Sequence, residues 1–473
     1  MSRPQKPAPP MEYIASAYKN CMDFFFPDFW EKVDQIEDPR VAGRCIYTLR
    51  QLLGTELARC FSAIESHRLM DSLFSRPGTA EGISQLCGEA GETVPRGDTI
   101  NYSLAKMQPQ YLHSMIDDMA FVLLAGKRLE RCREPLASTI LLALDGSGLH
   151  CRVIPLPHST TRKHRDGSRS FHNYVLLLAF VSQEGIIIPV ACEFVENSAD
   201  YNPEFDKQDC EYKAIFKSLS QFKQKHRMLP VTTLIDAIAI SYPILDLHRK
   251  NGWYYCFSYK AGVVVGMDKD IARLLEDPQC RRKETIESCE DGTTIIRTYR
   301  WVELLYDYGM AKEKGEIPVR LRYTDMTVTV INKEKEVVSK QEYRRLTNHK
   351  LNDANIDDFF AYIGRARWVE ENEGFNEMKN LGLEIEHAYG YKEDCIINHF
   401  LIAMIAFIIM QLAQKTDFFE KMISEAGLCG FSKKTRELFG GLIAIARHFC
   451  HSLQNHSIIL FDMQGWRIKW NTS

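Results

Sequence analysis

Apolar residues recur at spacings of three and four along Val41–Ile64 and again along Ile116–Leu129, the period of a helix that buries one face. Arg76-Pro77-Gly78 and Pro95-Arg96-Gly97 interrupt the pattern between them, as proline and glycine do. Residues 1–134 are therefore expected to form a helical N-terminal region behind a proline-rich start. From residue 138 the rhythm changes to short apolar runs bounded by polar turns, the pattern of buried strands. Ser138–Asp145, Tyr174–Val181 and Ile186–Phe194 are three such runs, the last two separated by Gln183-Glu184-Gly185 at hairpin spacing. A helix-period segment over Glu211–Lys225, a strand over Val231–Asp236, a helix over Ala239–Arg249 and a strand over Trp253–Tyr259 follow. Three consecutive strands and then helix, strand, helix, strand describe an α/β fold with a mixed sheet, an order that a ribonuclease-H-like core shares with many other α/β folds.

Between about 266 and 351 the residues alternate, as in Thr294–Leu305 and Val319–Ile331, with turns at Asp291-Gly292 and Lys314-Gly315. This predicts a β-rich insertion. Beyond residue 356 the chain is expected to be helical through Ala388, then along Ile396–Leu412 and Thr435–Leu453. The divisions are thus 1–134, a core in two parts (135–265 and 352–425), the insertion 266–351, and a helical C-terminal region 426–473.

Composition narrows the classes. With 45% hydrophobic and 26% charged residues the chain reads as globular. The formal net charge of −3 carries no overall basic excess, so any nucleic-acid contact must come from local patches. The 14 cysteines include no Cys-x-x-Cys pair; the closest two, Cys280 and Cys289, are too far apart for a zinc knuckle. Reduced thiols and a cytoplasmic setting are the expectation. The start lacks a signal-peptide core, and the apolar run Phe400–Met410 is shorter than a membrane span.

The candidate chemistry lies in the carboxylates. Asp145 follows Leu-Leu-Ala-Leu and opens Asp145-Gly146-Ser147-Gly148; Asp236 follows Thr-Thr-Leu-Ile. Each alone reads as a turn or cap residue. As a pair on neighbouring strands they would converge, and hard oxygen ligands of that kind suit Mg²⁺ or Mn²⁺. Arg365–Lys379 offers a third acid: in a helix, Arg367, Glu371, Phe375 and Lys379 would line one face. Glu370 and Glu373 flank it, and a solvated charged surface is the alternative. Three carboxylates holding two ions about 4 Å apart would serve in-line displacement at phosphorus. Among the basic stretches, Thr161–Asn173 carries Arg162, Lys163, Arg165 and Arg169 and reads equally as a phosphate contact or a solvated hairpin. Cys280–Lys283 and Tyr343–Lys350 are weaker patches. Trp301 is expected to be an ordinary strand tryptophan and Met404–Met410 core packing.

Several stretches together resemble the DDE transposases of bacterial insertion sequences, in the group named after insertion sequence four. They are Asp145-Gly146-Ser147, Glu193–Asn197, Lys207–Glu211, Leu234–Ala237, Gly252-Trp253, Lys260, Arg367-Trp368, Glu371–Asn376, Lys379-Asn380 and Glu386-His387, in order over residues 98–412. The resemblance implies a ribonuclease-H-like core interrupted by a β insertion, and a helical N-terminal region that binds transposon ends. It implies Asp145, Asp236 and Glu371 as catalytic residues and ligands of two Mg²⁺ ions, with Mn²⁺ as substitute. Arg367, Lys379, Lys260, Arg365 and Arg162 would be nucleic-acid contacts. The family's tyrosine position holds Gly364, and its lysine position holds Met378, one place before Lys379. Glu370 remains an alternative to Glu371, which the register of Asn372–Asn376 favours. The implied activity is cleavage at terminal inverted repeats and joining of the 3′ ends to target DNA, by a homodimer or larger complex on two ends, near the nucleoid. A nuclease without strand transfer and a decayed, DNA-binding transposase are the competing readings.

Overall fold

The computed structural model describes residues 11–183, 185–196, 211–278, 280–306, 318–369, 374–380, 382–414, 416 and 435–459. Ten strands form one mixed sheet: β1 Ile140–Arg152, β2 Thr160–Lys163, β3 Arg169–Val181, β4 Ile187–Phe194, β5 Val231–Ile235, β6 Tyr254–Ser258, β7 Arg281–Ser288, β8 Thr294–Tyr306, β9 Val319–Ile331 and β10 Val337–Thr347. Their order is β2-β3-β1-β5-β6-β10-β9-β8-β7, with β4 paired to β3. The protein is thus mixed α/β, as its sequence periods indicate.

The first three long strands are antiparallel because short links join them. Leu142↔Phe180 through Gly146↔Leu176 pair β1 with β3, and Val175↔Phe194 through Val181↔Ile187 pair β3 with β4. Every residue from Val175 to Val181 is buried, so both faces of β3 are covered and its sequence is a continuous apolar run. Parallel strands need a crossover, and helices supply them. Glu211–Lys225 leads from β4 to β5, and Tyr242–Asn251 from β5 to β6. Gly252 ends the second in a left-handed turn, φ 65°, where a residue without Cβ pays no steric penalty.

The β-rich segment continues the same sheet. The meander β7 to β10 is antiparallel throughout, and β10 docks on β6 through Arg345↔Ser258, Leu346↔Phe257 and Thr347↔Cys256. Trp301 lies within it and is 3% exposed, an ordinary strand tryptophan.

The N-terminal helices, among them Ile14–Phe25, Leu49–Phe61, Gly97–Lys106 and Pro109–Ala125, gather around the helix Cys395–Gln414. Leu49–Phe61 begins at a reciprocal cap in which Thr48 and Gln51 exchange side-chain and backbone hydrogen bonds. Cys395–Gln414 is, among the described residues, the one helix long and apolar enough to cross a membrane, and 94% of its most apolar window is buried inside the protein. It also packs on β4, where Phe400 meets Phe194 edge to face with ring centroids 5.8 Å apart.

Two expectations need correction. The Val41–Ile64 helix begins only at Leu49. The helix expected through Ala388 is broken: Ile356–Asp358 runs into a wider turn over Phe359–Gly364, then come Arg367–Val369 and Asn376–Asn380, and 382–394 has no regular helix. Gly382 explains part of the break. Its φ is 93°, and a Cβ there would lie 2.0 Å from the Ala63 Cβ, so the loop is pressed against the N-terminal helices at a place only glycine fits.

Candidate active site

The parallel register of β1 and β5 runs from Ile140↔Val231 to Leu144↔Ile235. The next residue on each chain is Asp145 and Asp236, so the register itself sets the two acids side by side. Asp145 does not end its strand, as the sequence suggests. It sits mid-way along β1, which continues to Arg152 while β5 stops. Beyond that point other groups approach β1: Lys379 Nζ reaches the Gly148 carbonyl at 3.4 Å, and His150 Nδ1 meets the Glu386 carbonyl at 3.0 Å.

Local hydrogen bonds hold both carboxylates. Asp145 Oδ1 accepts from the Gly146 amide at 2.9 Å, and its Oδ2 faces Arg367 Nη1 at 3.7 Å. Asp236 caps the turn Ala237–Ala239, its Oδ1 accepting from the Ala237 amide at 2.7 Å, while Oδ2 accepts from Lys260 Nζ at 3.2 Å. Burial works against the Asp236 anion, but the Ala237 amide, Lys260 and Arg367 together hold its carboxyl below the usual carboxylate range.

A third carboxylate lies near enough to feel both aspartates, and it is one that the sequence reading did not assign. Glu211, first residue of the crossover helix, accepts from the Tyr174 hydroxyl at 3.2 Å. Burial, reinforced by the charges of Asp145 and Asp236, pushes the Glu211 carboxyl up. Burial, then the Glu211 carboxylate and, more weakly, Asp145 and Asp236 push the Tyr174 phenol up. Tyr174 reaches this position across Gly146, where a Cβ would lie 2.1 Å from its hydroxyl oxygen. The available signals were Glu211 heading a helix-period segment and a glycine directly after the first aspartate.

The remaining expected residues scatter. Glu371, with Glu370 and Glu373, falls outside the described residues. Arg367 and Lys260 stand at the aspartates. Lys379 reaches β1 three positions further on, where it pairs with Glu386 at 2.6 Å. Arg365 is exposed and makes no ion pair with either aspartate. Arg162 is on the exposed β2–β3 hairpin, where Thr160 faces His172 while Asp145 faces Leu177. Arg162 itself faces Ser170, seven residues of strand from Leu177, which puts it about 23 Å away.

A second group of ligand-type side chains lies in the helical region. Glu56, His67 and His399 bring their ligand atoms within 4.8 Å of one another, close enough to hold an ion. Glu56 also accepts from Arg59 Nε at 2.8 Å, and His399 Nε2 meets Asn101 Oδ1 at 2.8 Å. Burial raises the Glu56 carboxyl, but Arg59 and His399 overcome this and hold it well below its usual range. One carboxylate already neutralised by a buried guanidinium would leave a divalent cation's charge uncompensated, so this cluster reads as a structural network.

No known protein-family model matches the chain, and no curated protein matches it significantly.

Proposed function

We propose that the chain is a metal-dependent polynucleotidyl transferase of the DDE transposase type. The observation that carries the reading is the register Leu144↔Ile235, which sets Asp145 beside Asp236 on parallel neighbouring strands. The partial order β4-β3-β1-β5-β6, with β5 and β6 parallel to β1 behind crossover helices, supports a ribonuclease-H-like core. The substrates would be DNA inverted repeats and a target duplex, met by a homodimer at the nucleoid.

The donor set fits divalent cations. Asp145 and Asp236 lie close enough to Glu211 for their charges to raise its carboxyl, a like-charge repulsion that a cation would relieve. Mg²⁺ or Mn²⁺ held there, with Glu371 as the family's third ligand, would supply Lewis acidity to the attacking and leaving oxygens. The protein's own groups do the rest. Lys260 and Arg367, beside Asp236 and Asp145, are placed to donate to non-bridging phosphoryl oxygens. Tyr174 fixes the Glu211 carboxylate.

In the first step water attacks phosphorus, the P–O3′ bond breaks, and the leaving oxygen takes a proton to become a 3′ hydroxyl. In the second, that hydroxyl attacks a target phosphodiester, forming one P–O3′ bond as another breaks. The test is a cleavage and joining assay with Mg²⁺ on a duplex carrying the inverted repeats that flank the gene, beside Glu371→Gln. Joined products that vanish in the variant support the reading. Cleaved but never joined DNA leaves a nuclease, and binding without cleavage a decayed transposase.

A further inference from the structure

Arg345 on β10 is only 6% exposed, yet its guanidinium meets no carboxylate within ion-pair distance among the described residues. Its acceptors are neutral: Nε and Nη2 donate to the Gly364 carbonyl at 3.3 and 2.9 Å, and Nη1 to the Arg344 carbonyl at 2.9 Å. Burying a cation without a counter-charge costs several kcal/mol. Burial, with Arg367 adding to it, pushes the guanidinium down from its usual range.

This cation lines a groove of about 660 Å³ that opens beside Asp236. Lys260, Arg344 and Arg367 also line it, against the carboxylates of Asp236 and Glu342, an excess of two positive charges in a chain whose formal net charge is −3. Arg344 is held by Glu342 at 3.1 and 2.9 Å, on an exposed surface where an incoming anion can compete for it. The stretch Tyr343–Lys350, a weak basic patch in the sequence, thus brings two of its arginines to the rim of the aspartate pair.

We propose that this groove is a phosphodiester channel: a nucleic-acid strand leaves the Asp145–Asp236 pair across β10, with Arg344 and Arg345 on its phosphates. The inference rests on the polynucleotidyl transferase reading and deepens it by assigning the path of the strand. Backbone phosphate and free phosphate share this chemistry, and the experiment separates them.

Binding of fluorescein-labelled 20-nucleotide single-stranded and duplex DNA to the full chain is measured in EDTA, from 50 to 200 mM KCl. Arg344→Ala and Arg345→Lys are compared with Arg273→Ala, a control on an exposed helix away from the groove. Arg344→Ala is expected to weaken binding about tenfold and to flatten the salt slope by roughly 0.7 to 0.9, the loss of one phosphate contact. Arg345→Lys keeps the charge and loses the fork, so its slope stays while affinity falls. Arg344 is only partly buried, so Arg344→Ala carries the test alone should Arg345→Lys not fold. An unchanged slope in Arg344→Ala overturns the proposal. So does DNA that binds no tighter than millimolar inorganic phosphate and is displaced by it, the mark of a free-phosphate site. Metal-dependent cleavage with an unchanged slope discards the channel alone. Groove-dependent binding without cleavage discards the enzymatic reading and keeps the channel.

Discussion

Tyr174 lies directly over Gly146: its hydroxyl oxygen would be 2.1 Å from a β-carbon at that position, and the same hydroxyl donates to Glu211. Gly146→Ala therefore forces the phenol away. The expected cost is about 1–3 kcal/mol of overpacking, read from urea denaturation, together with loss of cleavage. Tyr174→Phe removes only the hydroxyl and should cost about 1 kcal/mol. A Gly146→Ala protein as stable and active as the parent would mean that the ring is not held there.

Asp236→Asn keeps size and polarity while removing the charge that Lys260 and the Ala237 amide stabilise. Cleavage should fall by at least about 10³-fold, with DNA affinity in EDTA unchanged or slightly improved. A variant that still cleaves within about tenfold of the parent sinks the assignment of the site.

His158 links three segments: Nδ1 pairs with Glu196 at 2.6 Å after β4, and Nε2 with Asp394 at 2.9 Å before the buried helix. Burial disfavours its charge, but the two carboxylates prevail and raise it to about 9. The folded value exceeds the unfolded one near 6.5, so the folded state binds the proton more tightly. The stabilisation is full below about pH 6.5 and is lost as pH climbs through about 9, amounting to about 1–3 kcal/mol. Denaturation midpoints between pH 6 and 10 should show that decline in the parent and a flatter profile in His158→Gln. Equal slopes would refute the clamp.

Glu56 is fully buried, and Arg59, His67 and His399 all point at it. Glu56→Gln leaves Arg59 without its counter-charge and should destabilise by about 3–5 kcal/mol. Chelation with EDTA should leave the thermal midpoint of the parent unmoved. A fall on chelation, restored by zinc, would make this cluster a metal centre instead.

Much of the core was legible because it rests on local rules. Glu211–Lys225 and Val319–Ile331 show their periods plainly, and both elements span the expected residues. The aspartates were visible as acids beside buried strands, but their adjacency comes from the β1–β5 register, a long-range pairing that no local pattern encodes. Glu211 was visible only as the head of a helix; that it lies near Asp145 depends on how the crossover packs. The break after Gly364 was hidden because Arg365–Lys379 has helix-forming composition, whereas contacts elsewhere, such as Ala63 against Gly382, decide where the chain turns. The burial of Arg345 against the Gly364 and Arg344 carbonyls is likewise a property of packing, invisible in a stretch that reads as a basic surface patch.

The docking of β10 on β6 also shapes how the protein comes to be made. Until Arg345–Thr347 have been synthesised, β6 has no neighbour on one side, and its free amides and carbonyls are a template for any other strand. Tyr255, Cys256 and Phe257 on that edge are all nearly inaccessible in the finished fold, so the nascent chain shows an apolar edge for as long as the meander takes to emerge and close. That interval, more than the stability of the completed sheet, is where this fold is exposed to misassembly.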